Sequence, residues 1–337
     1  MSKLTIKYLA NELGLSVSTI SKALKDSYEI SAETKAKVIE LANKLHFVPN
    51  PHASSLRRQK SKTIAVVIPE VADSFFALAI NGIESVAQEK GYHVLIYLTH
   101  ERMSREEVIL NEFKSGRVDG ILISVSKETS DANHIKEVVQ SGLPIVFFDR
   151  VCEDVVTAKV TTDDFESCYN GTKHLIQKKC KRIAYLSISK SLQINRKREE
   201  GYRQALLDAG IGINEKLIIA CEEDDENNLQ LLKKILSGKN RPDGIVASVE
   251  KLVPTVYQAC KEKSIKIPEE LKLLCFTNLS SSAILDPPLT TITQPAFDMG
   301  KSAATLLFKG IEKPGFKLMN ERIVVPSSFH KRKSTDF

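Results

Sequence analysis

Residues 5–24 read TIKYLANELGLSVSTISKAL. Ile6, Leu9, Ala10 and Leu13 fall at i, i+3, i+4 and i+7, the spacing that gathers apolar side chains on one face of a helix. Gly14 stands where a helix closes with a left-handed residue. Ser16 is placed to cap a second helix over residues 17–24, with Ile20 and Leu24 turned inward. Ser31 repeats the cap ahead of Val38, Leu41, Ala42 and Leu45, which show the same periodicity. Two helices joined by a tight glycine turn, with a third across them, make a helix-turn-helix.

Charge separates this reading from a plain three-helix bundle. The 337 residues carry a net +6. Residues 1–62 hold eleven Lys and Arg against five Asp and Glu, which leaves the remaining 275 residues neutral. An excess confined to one short segment suits binding to a phosphate backbone, where each cation releases a condensed counterion. The hydroxyls of Thr5, Ser16, Thr19 and Ser21 surround the turn and the start of the second helix, suited to hydrogen-bonding phosphate oxygens. Val17, Ser18 and Lys22 fall on its outward face, where they would reach base edges in the major groove. Lys22 is the one able to read guanine O6 and N7.

Beyond a linker at 49–62, strands and helices alternate. From Thr63 the expected strands lie at 64–68, 92–98, 120–124 and 144–149, with helices at 75–90, 104–115 and 131–141. A second series starts near Val160 with a helix at 165–178. Its strands follow at 183–188, 217–220, 244–247 and 271–276, with helices between them. Repeated βα units predict parallel sheets covered on both faces, and their length predicts two doubly wound lobes. A helix at 297–309 and a strand near 321–326 return to the lobes. Ligands of such sheets bind beyond the C-terminal ends of strands. The candidates there are Asp73, Ser74, Phe75 and Phe76 after the first strand, and Asp149 and Arg150 after the fourth. Aromatic faces suit sugar or purine rings, while Asp and Arg suit hydroxyls or carboxylates.

Other classes are excluded. No apolar run approaches a membrane span, and MSKLTIKYLANELG has no apolar core for a signal peptide. The six cysteines show no C-x-x-C spacing, so they read as reduced packing residues of a cytoplasmic protein. The acidic run at 222–226 lacks the glycine and alternation of a calcium loop. No histidine pair, nucleophile elbow, P-loop or dinucleotide fingerprint is present, so neither catalysis, nor a metal, nor a cofactor is expected.

Thr5-Ile6-Lys7-Tyr8-Leu9-Ala10, the run from Gly14 to Leu24, and Phe47-Val48-Pro49-Asn50-Pro51-His52-Ala53-Ser54-Ser55-Leu56-Arg57 together resemble the head and hinge of the lactose-repressor/galactose-repressor (LacI/GalR) family. The match spans some forty spaced positions and departs at Tyr8 and Ser54. The resemblance implies an all-α helix-turn-helix head (1–48), a hinge (49–62), and an α/β bilobal periplasmic-binding-protein-like body (63–337) joined by three crossovers. The expected lobes are about 63–160 plus 293–321, and 161–292 plus 322–337. It places specificity determinants at Val17, Ser18 and Lys22. It also implies that the hinge, with Asn50 and Ala53, folds on DNA and inserts Leu56 into the minor groove, kinking it.

In the body, Arg198 matches the family's effector-contacting arginine. Pro287-Pro288-Leu289-Thr290-Thr291-Ile292-Thr293-Gln294-Pro295 matches closely. Two positions depart: Val249-Glu250 replaces the usual Asn-Asp, so the Glu250 carboxylate is displaced by a methylene. Thr277 replaces an acidic acceptor for effector hydroxyls. The function implied is a ligand-responsive repressor of carbohydrate genes, a homodimer on a pseudo-palindromic operator in double-stranded DNA, with a sugar, sugar acid or related effector in the cleft. The competing readings are a protein corepressor in place of that effector, and a solute-binding receptor.

Overall fold

The computed structural model describes residues 5–47 and 60–336, apart from 190, 222, 223, 314, 315, 317 and 320. Two units divide the chain, before and after Gln59.

In the first unit α1 is Ile6–Leu13, α2 Val17–Ala23 and α3 Ala32–Lys44. Gly14 sits at φ 60° and ends α1, its amide returning to the carbonyls of the last turn; only glycine takes that backbone without strain. Ser16 Oγ accepts from the Thr19 amide at 3.0 Å and Ser31 Oγ from the Thr34 amide at 3.3 Å, so both expected caps form. Leu9, Ala10, Ile20, Ala23, Val38 and Ala42 make the core, with Leu24, Leu41 and Val17 packed partly against it.

The second unit contains two six-stranded sheets. The first lobe contributes β1 (Thr63–Ile68), α4 (Ser74–Glu89), β2 (His93–Leu98), α5 (Met103–Phe113), β3 (Gly120–Ile123), α6 (Asn133–Gln140), β4 (Ile145–Phe148) and β5 (Ala158–Thr162). The chain then builds α7 (Asp164–Gln177), β6 (Ile183–Ser187), α8 (Gln193–Asp208), β7 (Ile218–Ala220), α9 (Asp225–Ile235), β8 (Gly244–Ala247), α10 (Leu252–Glu262), β9 (Lys272–Phe276) and β10 (Thr290–Thr293). Finally come α11 (Ala296–Glu312), β11 (Arg322–Val325) and β12 (Ser328–His330). The orders are β11-β5-β4-β3-β1-β2 and β12-β10-β9-β8-β6-β7. Every pairing is parallel except β10 with β12.

The chain thus crosses between lobes three times, after Thr162, Thr293 and Val325. One expected boundary is corrected. The strand at 322–325 does not belong to the second lobe, because Arg322–Val325 pairs with Lys159–Thr162 at the edge of the first sheet, where β5 itself pairs with β4. It stands at a crossover, where the sheet a strand joins is set by distant partners and not by its own pattern.

Each sheet is buried on both faces, one core of the first lobe lying under α4 and α11 and the other under α5 and α6. The crossing of α4 with α11 is close. A Cβ at Gly82 would stand 2.1 Å from Phe297 O, and one at Gly300 2.1 Å from Ala79 O. The start of the body is clasped by Asp119, whose carboxylate accepts from the Ser61 and Lys62 amides at 2.6 and 3.0 Å.

Candidate functional site

The outer face of α2 begins at a capped terminus. Ser18 and Lys22 are exposed, as expected. Val17 is not wholly outward: part of it packs on the head's core, because the first residue after a cap lies close to the preceding turn. The Ser16 and Thr19 hydroxyls lie 2.9 Å apart. Thr5 occupies the N-cap position of α1 with its hydroxyl making no cap bond, and Ser21 is half-buried. Lys22 reaches Glu29 in an exposed ion pair, which screening by water makes weak enough to exchange for a base or phosphate. Asn50, Ala53 and Leu56 lie outside the described residues.

In the body, the C-terminal ends of β1, β4, β6, β8 and β9 converge on one cleft between the lobes. The order of each sheet reverses beside these strands, at β1 and β3 in one and at β6 and β8 in the other, where doubly wound sheets open a crevice. All seven expected effector positions come to this region. Phe75, Phe76, Asp149, Arg198, Glu250 and Thr277 line the cavity itself, and Ser74 touches it through Glu250. The cavity measures about 40 Å³, room for about three waters.

One carboxylate in its lining bridges the two lobes. Glu250, from the second lobe, meets the N-terminus of α4 in the first. Ser74 donates its amide to Oε1 at 2.9 Å and its hydroxyl to Oε2 at 2.6 Å. Thr277 Oγ1 donates to Oε2 at 2.8 Å and the Asn278 amide at 3.3 Å. The helix N-terminus supplies both orphan amides and partial positive charge. The two departures therefore compensate: the acid absent at 277 is replaced by a threonine that donates to the acid at 250. Further links across the cleft are Lys251 to Glu70, Ser191 Oγ to Lys127 O at 2.8 Å, and Gln193 Nε2 to Glu153 Oε1 at 2.9 Å.

Arg198 is 3% exposed. Its Nε donates to Asp164 at 2.7 Å and Nη1 to Ser248 O at 2.6 Å, while the guanidinium lies 3.9 Å over the Phe276 ring. Nη2 has no partner. A buried donor left unsatisfied costs about 1–3 kcal/mol or more for a charged group, so this nitrogen is poised for an acceptor from outside. Arg150 is held by Glu101 at 2.9 Å from both carboxylate oxygens. Asp149, at φ 61°, accepts from Gln294 Nε2 at 3.2 Å. Phe75 and Phe76 are both core and wall: their rings meet edge-on at 5.4 Å and are buried, yet both border the cavity.

Burial dominates the acids. It pushes the Asp73 carboxyl up to about 6, with the Glu250 carboxylate adding to it. Burial also raises Asp149, and carries Asp164 to about 6 against the pull of Arg198. Arg198 shows the opposite balance: burial disfavours its charge, but Asp164 and Asp149 outweigh that and raise it. Sequence reasoning missed Asp164, Glu101, Asn195 and Gln294. Gln294 stood in the Pro287–Pro295 run and could have been found; Asp164 and Glu101 act only through the arginines they orient, and no local pattern marks them.

Comparison with known proteins decides what this architecture is. Residues 5–50 match the model for bacterial regulatory proteins of the lacI family, and residues 61–333 that for periplasmic binding proteins and the sugar binding domain of the LacI family. The chain belongs to the LacI family. It is 30% identical over 334 residues to the HTH-type transcriptional regulator DegA of Bacillus subtilis (strain 168), covering 99% of this chain and 98% of that protein. It is 27% identical over 329 residues to the HTH-type transcriptional repressor CytR of Escherichia coli (strain K12), 96% of each. Among solved structures, the lac repressor dimer bound to operator and the anti-inducer ONPF matches with a TM-score of 0.85 at 21% identity, over 99% of each chain. That likeness concerns the fold alone. A putative ribose operon repressor from Burkholderia thailandensis matches with a TM-score of 0.72 at 26% identity, over 80% of this chain and 99% of the other. This LacI-family chain is thus a DNA-binding transcription regulator, with a helix-turn-helix head and a periplasmic-binding-protein-like body. Among the described residues no helix is long and apolar enough to cross a membrane.

Proposed function

We propose that the chain is a ligand-responsive repressor of carbohydrate uptake or catabolism genes, acting in the cytoplasm as a homodimer on a pseudo-palindromic operator. A two-fold dimer presents two α2 helices to half-sites one helical turn apart. Thr5, Ser16, Thr19 and Ser21 hold phosphates; Val17, Ser18 and Lys22 meet base edges; Asn50, Ala53 and Leu56 engage the minor groove as the hinge folds. A sugar-like effector binds between the lobes at Ser74, Phe75, Phe76, Asp149, Arg198, Glu250 and Thr277. Its binding shifts lobe closure and so the dimer arrangement that lets two hinges order together. An exposed apolar edge supports self-association: Leu95 and Ile96 on the outermost strand β2 are 39% and 44% exposed, on a strand otherwise free to pair.

The observation that carries the effector reading is Arg198 Nη2, buried beside the cleft without a partner among the described residues. The test is selection of operators from genomic fragments, followed by gel-shift titration of the selected site with a library of sugars, sugar acids and nucleosides. One compound class should change operator affinity by about 5- to 150-fold, the usual range of allosteric coupling. An effector that binds stoichiometrically and leaves operator affinity unchanged would refute the mechanism. Leu56→Ala should sharply weaken operator binding with the body's unfolding transition unaltered.

A further inference from the structure

Charge around the cleft is unequal. Arg150 and Arg198 are its cations, and each is already matched, by Glu101 and Asp164. Asp73, Asp149 and Glu250 also line the cavity, so acids exceed bases by three among these residues. Among the described residues Glu250 is cradled by neutral donors, from Ser74, Thr277 and Asn278. Asp73 accepts from the Phe75 amide at 2.9 Å. Asp149 accepts from Gln294 Nε2 at 3.2 Å and has Arg150 Nε at 3.9 Å, while Arg150 Nη1 is taken by Glu101; Arg150 and Arg198 both favour its charged form against burial. Phe75, Phe76 and Phe276 wall the same space, and apolar walls strengthen every charge interaction inside.

A cavity of this kind disfavours an anion; a neutral polyol can donate hydroxyls to its carboxylates, but only a cationic donor also gains from the excess charge. It favours a cation. The cation cannot be bare, because Arg198 lines the same cavity with its buried Nη2 lacking an acceptor among the described residues, and a guanidinium repels a simple cation. One molecule meets both demands when it carries a protonated amine and hydroxyl oxygens together.

We propose that the effector is an amino sugar, its ammonium held by Asp73 and Asp149 and a hydroxyl oxygen accepting from Arg198 Nη2. The proposal rests on the reading of the body as a small-molecule sensor and narrows its ligand class, setting aside neutral sugars and sugar acids.

Calorimetric titration of the full-length chain tests it with matched sets: glucosamine, galactosamine and mannosamine, each beside its parent hexose and its N-acetyl derivative, with gluconate as an anion. At least one amine should bind more tightly than both of its neutral analogues by about tenfold or more. Asp73→Asn together with Asp149→Asn should reduce that preference to a few-fold while the variant stays folded, with the wild-type circular dichroism spectrum at the titration temperature, and Asp73→Asn alone should reduce it partly. A neutral or anionic member binding as tightly as its amine overturns the proposal and leaves the sensor reading intact. Failure of every amine to bind also overturns it. The sensor reading falls separately, when no compound of any class in the wider library alters operator affinity.

Discussion

Replacing Glu250 by alanine should open the cleft. Its carboxylate accepts two hydrogen bonds from Ser74, across the lobes, and two from residues 277 and 278 of its own lobe. Only the first two resist opening. Each hydrogen bond to a charged group contributes roughly 1.5–3 kcal/mol net, giving roughly 3–6 kcal/mol for the pair. The repulsion of Asp73 opposes these bonds, so the lower figure, roughly 3 kcal/mol, is taken as the upper bound, and Glu250→Ala should shift the open-to-closed ratio by up to roughly 100-fold. Lys251–Glu70 and the Ser191 and Gln193 contacts remain to oppose it. Spin labels at Asn111 on α5 and Lys234 on α9, both exposed, place one reporter on each lobe. Cys152, the cysteine that is not fully buried, is first changed to serine. The distance distribution should broaden and lengthen in Glu250→Ala, and less in Thr277→Val, which removes a donor from within one lobe. An unchanged distribution in Glu250→Ala would refute the view that this carboxylate holds the lobes together.

Three more outcomes follow from the geometry. Gly82→Ala or Gly300→Ala should lower the urea midpoint of the body, since a Cβ 2.1 Å from a carbonyl oxygen forces α4 and α11 apart at a cost of roughly 1–3 kcal/mol or more; an unaltered midpoint would contradict the close crossing. Asp73, raised from an ordinary 3.8 to about 6, binds its proton more tightly folded than unfolded, so its contribution to stability falls as pH rises from about 4 through about 6. Asp73→Asn should therefore be more stable than the wild type above pH 6, by at most about 3 kcal/mol, with the difference vanishing near pH 4; equal stability throughout would show that the carboxyl is not penalised. In the head, Lys22→Ala should lose about 1–3 kcal/mol of preference at one operator base pair, whereas Lys37→Ala, whose side chain pairs with Glu33 on α3, should leave sequence preference unaltered in the same binding assay.

The head was legible because its determinants are local. Gly14, Ser16 and Ser31 announce helix ends within a few residues of the groups they satisfy, and the apolar spacing of Leu9, Ala10 and Leu13 needs no partner to be recognised. The alternation of β1 through β4 was legible for the same reason: each strand is an apolar run bounded by turn residues. What failed was placement at the crossovers. Arg322–Val325 looks like any short strand, and nothing in its four residues says that Lys159–Thr162 lies beside it. Likewise Asp164 and Glu101 have no signature of their own, because their roles consist in holding arginines 34 and 49 residues away.

The cleft shows why reading positions singly goes astray there. Taken alone, Thr277 is a lost acceptor and Glu250 a carboxylate reaching one methylene too far. Taken together they are one arrangement: the longer side chain carries the charge to the place where residue 277 can donate to it, and from there it also caps α4 in the opposite lobe. A shorter acid at 250 would have one methylene less with which to reach across to Ser74. An acid at 277 would stand within hydrogen-bond range of another acid, in a space with low capacity to screen the repulsion. Restoring the family's residues one at a time should therefore do harm in a specific order. Thr277→Asp in the presence of Glu250 should destabilise the body more than Glu250→Asp alone, and the double change should be less destabilising than the sum of the two, a coupling that a double-mutant cycle in urea reads directly. Additive effects would mean that the two positions vary independently, and that the compensation seen in their geometry has no energetic content.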